Sequence, residues 1–154
     1  MYLCGVKKDN AMRLSDNEII NDPIRDARRY VKNAQDVLRD HGKFDTETGR
    51  YEDSKYVKAA GHYLWSGVLI ALEAVFHVEE QKKSKKGEDN RVSILDYTAA
   101  LAKRDRKLLD WVNDGYKIMH LGMGYDGIGD KRICQRGIQL TNTIIDKCES
   151  MMVA

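Results

Sequence analysis

One proline in 154 residues, three cysteines, two phenylalanines and a formal net charge of only +2 first say what this chain is not. With its single proline at position 23 and no stretch of alternating apolar and polar residues, the chain offers no segment that reads as a strand, which excludes sandwiches and barrels. Cys4, Cys134 and Cys148 have no CxxC spacing and no histidine partner at zinc-finger distance, so neither a disulfide framework nor a structural zinc site is expected, and a reduced, cytoplasmic setting is. Lysine and arginine number 26 against 24 aspartates and glutamates, so long-range attraction to nucleic acid cannot come from the total charge. The most hydrophobic run, over 63–76, is short for a bilayer and contains Glu73; it reads as a core helix, and no membrane association is expected. The start of the chain lacks the continuous apolar stretch of a secretory signal, so residues 1–20 read as a loose extension ahead of one domain over 21–154.

What is present is helical periodicity with start and stop signals. Ser15 and Glu18 form a capping box that opens a short turn. Pro23 suits a first helical position because its missing N–H would have no partner there. Ile24, Ala27, Val31, Ala34 and Leu38 then recur every three or four residues, predicting a helix over 23–40 that ends at Gly42. The polar stretch KFDTETGRYED reads as a hairpin connection. A second helix is expected over 53–80, with Val57, Ala60, Leu64, Gly67, Val68, Ala71, Val75 and Val78 in one narrow sector. Ser93 is placed to cap a third helix carrying Ile94, Leu95, Tyr97 and Leu101 and ending near 103. In the fourth, Leu108, Val112, Gly115 and Met119 make a stripe that Leu109, Trp111, Tyr116 and Ile118 widen, so this helix is expected at the centre. Glycines 122, 124, 127 and 129 should break it, because glycine is costly inside a helix. Asp130 then caps a last helix with Ile133, Gly137, Leu140, Ile144, Cys148 and Met151 at helical spacing; Cys148 is expected in the core. The fold expected is all-α: an antiparallel up-and-down bundle of four to five helices.

Three constellations bear on chemistry. The string GMGYDG, residues 122–127, is a literal G-x-G-x-x-G, but it follows a helix rather than a strand, and no cofactor is expected from it. His62, Ser66, Glu73, His77 and Glu80 project on the side of the second helix opposite its apolar seam. Glu73 and His77, four apart, have metal-ligand spacing, yet the other helices offer no E-x-x-H, so the line reads as a polar stripe and no metal is expected. Tyr116 and His120, four apart, precede Tyr125 and Asp126; these four are the candidate binding residues, with a dipole-capping role for His120 beside it. No nucleophile or paired base can be named, so no catalytic residue is assigned. The connector QKKSKKGEDNR, 81–91, is basic and is a candidate, though weak, contact for nucleic acid.

The strings ARRYVKNAQDVLRDHG, YEDSKYVKAAGHYLWSGVLIALEAVF and GYKIMHLGMGYDG, followed by an amphipathic helix, resemble a HEPN-type helical bundle over about 21–150, and more closely a bacterial family of unknown function with that architecture. The resemblance implies a dimeric bundle, and in many HEPN proteins an RNA-cleaving one, whose hallmark is Arg, four to six residues, then His. That spacing sets an arginine to steady a phosphate beside a histidine that moves a proton. This chain lacks it. Arg104 and Arg106 lie too far before His120, Arg28 and Arg29 too far before His41, Arg50 too far before His62, and Arg39 too close to His41. The expectation is therefore a non-catalytic interaction or regulatory module, a homodimer with a possible partner protein encoded nearby. The alternatives are a divergent ribonuclease using Arg104 or Arg106 with Tyr116 and His120 across a dimer, and a nucleotide or small-ligand site near Tyr116, His120 and Tyr125.

Overall fold

In a computed structural model, the structure describes residues 22–83 and 91–153. Its elements are α1 (Pro23–His41), β1 (Phe44–Asp45), β2 (Arg50–Tyr51), α2 (Ser54–Phe76), α3 (Val78–Lys83), α4 (Ile94–Arg104), α5 (Arg106–Gly115), a π-helical segment (Tyr116–Tyr125) and α6 (Lys131–Val153). The Ser15/Glu18 capping box and Cys4 lie outside the described residues, as does most of the basic connector.

α1 starts where Asp22 Oδ1 accepts hydrogen bonds from the amides of Ile24 (3.0 Å) and Arg25 (3.3 Å), two of the donors that a helix start leaves without partners. All five of its periodic residues are buried. The hairpin after it returns the chain. Tyr30 meets Tyr63 and His41 stacks on Tyr56, so α2 runs antiparallel to α1. α2 in turn meets the next long rod antiparallel, Trp65 against Tyr116 and His62 against His120. α6 reverses once more, its Thr141 lying against Met119 and its Lys147 near Asp105. Four rods thus alternate in direction: α1, α2, α5 with the π segment, and α6. The short α4 lies beside the lower part of α2, held by Tyr97 Oη donating to Glu73 Oε2 at 3.0 Å.

The centre is α2, not the fourth expected helix. It packs against α1, α6, α4 and the π segment, and Val57, Ala60, Leu64, Val68, Ala71 and Leu72 are wholly buried. Its apolarity is also longer than the run over 63–76. At 23 residues the helix meets the length and composition of a bilayer span, and half of its most apolar window is covered by the other helices. The periodic set on α6 is rotated slightly from expectation, with Cys134, Gly137, Thr141, Ile144, Ile145 and Cys148 facing inward and Ile133, Leu140 and Met151 at the margins. Burial pushes the Cys148 thiol up to about 12 and that of Cys134 to about 11, as for small apolar side chains rather than reactive thiols.

Three expectations about boundaries are corrected. Two short strands do form, pairing Phe44 with Tyr51 and Asp45 with Arg50, and the second strand extends to the glycine loop, where Tyr51 N donates to Gly129 O at 2.8 Å. The second helix ends at Phe76 rather than near residue 80. His77 takes a left-handed conformation (φ 51°) and both Glu73 carboxylate oxygens accept from the Glu79 amide at 3.1 Å, capping α3 as a separate short helix. Gly122 and Gly124 do not break their helix. They are buried inside the π segment, and the chain leaves it only at Gly127, whose φ of 68° suits a residue without a side chain.

The glycines persist in the helix because they let two backbones touch. A Cβ on Gly61 would stand 2.5 Å from the Gly124 amide nitrogen and 2.6 Å from the Met119 carbonyl oxygen, closer than any carbon can sit. Gly61→Ala should therefore lower stability by about 1–3 kcal/mol through forced separation of α2 and the π segment, although alanine favours an isolated helix. Denaturant titration checks this; a gain in stability would mean that the two backbones are not in contact.

Candidate functional site

The close approach at Gly61 and Gly124 brings four rings together. Tyr116 and His120, one turn apart on the π segment, stack with centroids 5.0 Å apart and planes inclined by 30°. Trp65 meets Tyr116 edge-on at 5.5 Å and His120 at 5.9 Å. His62 approaches His120 edge-on at 6.2 Å. Substituting glycine at 124 matters here too, since a Cβ there would lie 3.4 Å from His62 Cε1 and 3.0 Å from the Met119 carbonyl.

The π turn is what aims this set. Its wider backbone places Met119, Gly122, Met123 and Gly124 all in the core, more inward positions than an α-turn supplies, and it closes with Asp126 N donating to Leu121 O at 2.8 Å, the five-residue step of a π-helix. Thr141 Oγ1 donates to the Gly137 carbonyl at 2.8 Å and lies 2.7 Å from Met119 Sδ, holding α6 under the widened turn.

His120 is the unusual member. Its Nδ1 is buried and, among the described residues, has no hydrogen-bond partner. Burial, and secondarily the neighbouring His62 imidazole, hold its pKa below the ordinary histidine range. A ring held toward its neutral form, with Nδ1 shielded from water, is packed as a member of the cluster. It is poorly suited to act as a cation at the helix end, so the dipole-capping role is not what this environment favours.

The other candidates separate. Tyr125 is 76% exposed and Asp126 is exposed at the end of the π segment, outside the ring cluster. Of the polar stripe, only His62 joins the cluster; Ser66 is half-buried, Glu73 is engaged by Tyr97 and the Glu79 amide, and His77, out of the helix, lies 3.5 Å from Glu80. The stripe divides because α2 stops at Phe76. Among the described residues no group of three or more metal-ligating side chains forms. The G-x-G-x-x-G string lies on the π segment and the loop after it, with no strand before it. Arg104 stands over the Phe76 ring at 4.8 Å, three turns along α2 from Trp65, about 16 Å away. Arg106 opens α5, some ten residues and about 15 Å before Tyr116. Within one chain neither arginine approaches His120. Trp65 and His62 as members of the cluster were not singled out by sequence for this role; the signals were Trp65's four-residue offset from Gly61 and its place on the seam's edge, and the adjacency of His62 to Gly61.

A family model described as a domain of unknown function, DUF5618, matches residues 22–150. The chain belongs to that family. A solved structure of a protein of unknown function from Dyadobacter fermentans is similar, with 39% identity, a TM-score of 0.69, and coverage of 84% of this chain and 95% of that one. No curated protein matches. The DUF5618 match spans three rods, α6 up to Ser150 and the whole ring cluster.

Because the folded His120 holds its proton less tightly than the unfolded chain does, unfolding takes up a proton as pH falls. The contribution is present above the ordinary histidine pKa and is lost as pH drops from about 6.5 downward. Wild-type stability should decline between pH 7 and 5.5 more than that of His120→Gln, measured by denaturant titration at each pH; identical slopes would contradict the half-buried, neutral imidazole. The carboxylates held low by hydrogen bonds, such as Asp130 and Asp96, act in a more acidic window and do not confuse the comparison.

Proposed function

We propose that this DUF5618 chain is a HEPN-like bundle that serves as a non-catalytic interaction or regulatory module, working as a homodimer in the bacterial cytoplasm. The observation that carries the reading is the company His120 keeps: its ring lies among Tyr116, Trp65 and His62, while Arg104 and Arg106 stand elsewhere on the chain. General acid–base chemistry on a phosphodiester needs a proton-transfer group within hydrogen-bond reach of the substrate and a cation to steady the phosphate, and one chain does not bring these together. The up-and-down order of four rods with a short helix at the side supports the HEPN-like reading of the fold.

The exposed Tyr125 and the half-exposed Leu121, one turn apart beside the cluster, belong to a surface for a second, different partner protein. A partner encoded by an adjacent gene fits the same role. Nucleic acid is less favoured, since Lys82 of the basic connector is taken up by Asp96 at 2.9 Å. A second reading is a nucleotide or small heteroaromatic ligand near Tyr116, His120 and Tyr125, supported by the stacked Tyr116 and His120 rings.

Two assays separate these. Purified protein should cleave RNA no faster than a mock preparation, and RNA cleavage that disappears in His120→Ala would overturn the non-catalytic reading. In thermal-shift measurements nucleotides at millimolar concentration should leave the melting temperature unchanged, because only a ligand that prefers the native state raises it. A rise in wild type that His120→Ala abolishes would favour the ligand site instead.

A further inference from the structure

We propose that the homodimer forms by seating an exposed ridge of α4 in an acidic, apolar-floored groove of a second copy. The inference rests on the homodimer reading above and names its surfaces. The groove, of about 490 Å³, lies at the end of the bundle where α1 begins and α2 and α6 end. Leu69, Ile70, Ala74 and Met152 give it an apolar floor, with Met152 48% exposed. Glu73, Glu79 and Glu80 stand on its rim, and no lysine or arginine lines it among the described residues.

The complementary surface is on the same chain. Leu95, 74% exposed, is the most exposed large aliphatic side chain among the described residues. Ala99 and Ala102, four and seven residues on, share its helical face and are also exposed, so α4 presents a narrow apolar ridge. That ridge runs into Lys103, Arg104, Arg106 and Lys107, four cations interrupted only by Asp105. Arg104 lies over Phe76 at 4.8 Å and Lys107 over Trp111 at 5.2 Å, which leaves Lys103 and Arg106 to face a partner. An apolar ridge that ends in cations matches an apolar floor that ends in carboxylates. Burying the first excludes water, and the charge pairs set the register.

The two surfaces also adjoin. Glu73 on the groove wall accepts from Tyr97 of α4 at 3.0 Å, so α4 borders the groove, with its ridge on the helix face away from Tyr97. A two-fold axis between them lets each copy give its ridge and take the other's, as an isologous interface requires. The alanines keep the ridge low enough for close approach.

Sedimentation equilibrium tests the pairing. Wild type should be a dimer whose affinity falls with added salt. Glu79→Lys with Glu80→Lys, or Lys103→Glu with Arg106→Glu, should each raise the dimer Kd at least about tenfold, and combining the four should recover most of the loss. Leu95→Asp should dissociate the dimer independently, and because all five positions are exposed, circular dichroism melts should match wild type. A dimer that tolerates these changes, or a four-fold charge swap that remains monomeric, overturns this pairing and leaves the homodimer reading standing. A wild type that is monomeric at every concentration overturns both.

Discussion

Everything else in this structure depends on the contact between α2 and the π segment, where Gly61 and Gly124 bring two backbones together with no side chain between them. Helices usually keep their axes 8–10 Å apart because side chains fill the space between them. Removing the Cβ atoms from both sides at one level permits a nearer approach, and that nearness is what turns Trp65, Tyr116, His62 and His120 from residues on separate rods into one ring cluster. The same level holds Met119 and Met123 against Gly137, so α6 is anchored there as well. Several inward-facing side chains lose their packing if this contact opens.

The contact also explains why a helix carrying two glycines in three residues continues. Each glycine costs about 1 kcal/mol relative to alanine in a helix interior, and the widened turn gives up regular hydrogen bonding. The return is that Met119, Gly122, Met123 and Gly124 all face the core, and that His120 is carried into a position where its Nδ1 is shielded from water. A π turn is often found where a side chain has to be re-aimed. Here it re-aims an imidazole, and the cost in regularity and the gain in placement occur within the same ten residues.

Much of this was legible in the residues. α1 could be read almost to the residue because a proline at its first position and five evenly spaced apolar side chains agreed, and the buried stripe Leu108, Val112, Gly115 and Met119 was read as it stands. Asp130 does cap α6, its Oδ1 accepting from the Arg132 amide at 2.8 Å. What failed had a common cause. The glycines at 122 and 124 and the end of α2 at Phe76 are decided by tertiary contacts, the first by Gly61 across the interface and the second by Glu73 turning to cap α3, and neither leaves a local signal. The site was half legible: Tyr116 and His120 were paired by their spacing, whereas His62 and Trp65 joined them only through the approach of two helices. Tyr125 and Asp126 were grouped with them by adjacency in sequence, but the chain turns away after the π segment.

As the helix on which the others pack, α2 should be the element that opens last. Native-state hydrogen exchange measures this directly, because amides that exchange only by complete unfolding report the global stability while frayed or peripheral helices exchange by smaller openings. Amides of α2 between Val57 and Leu72 should share the slowest exchange in the protein, slower than those of α4. Faster exchange along α2 than along α4 would show that the helix is not the hub about which the others are arranged.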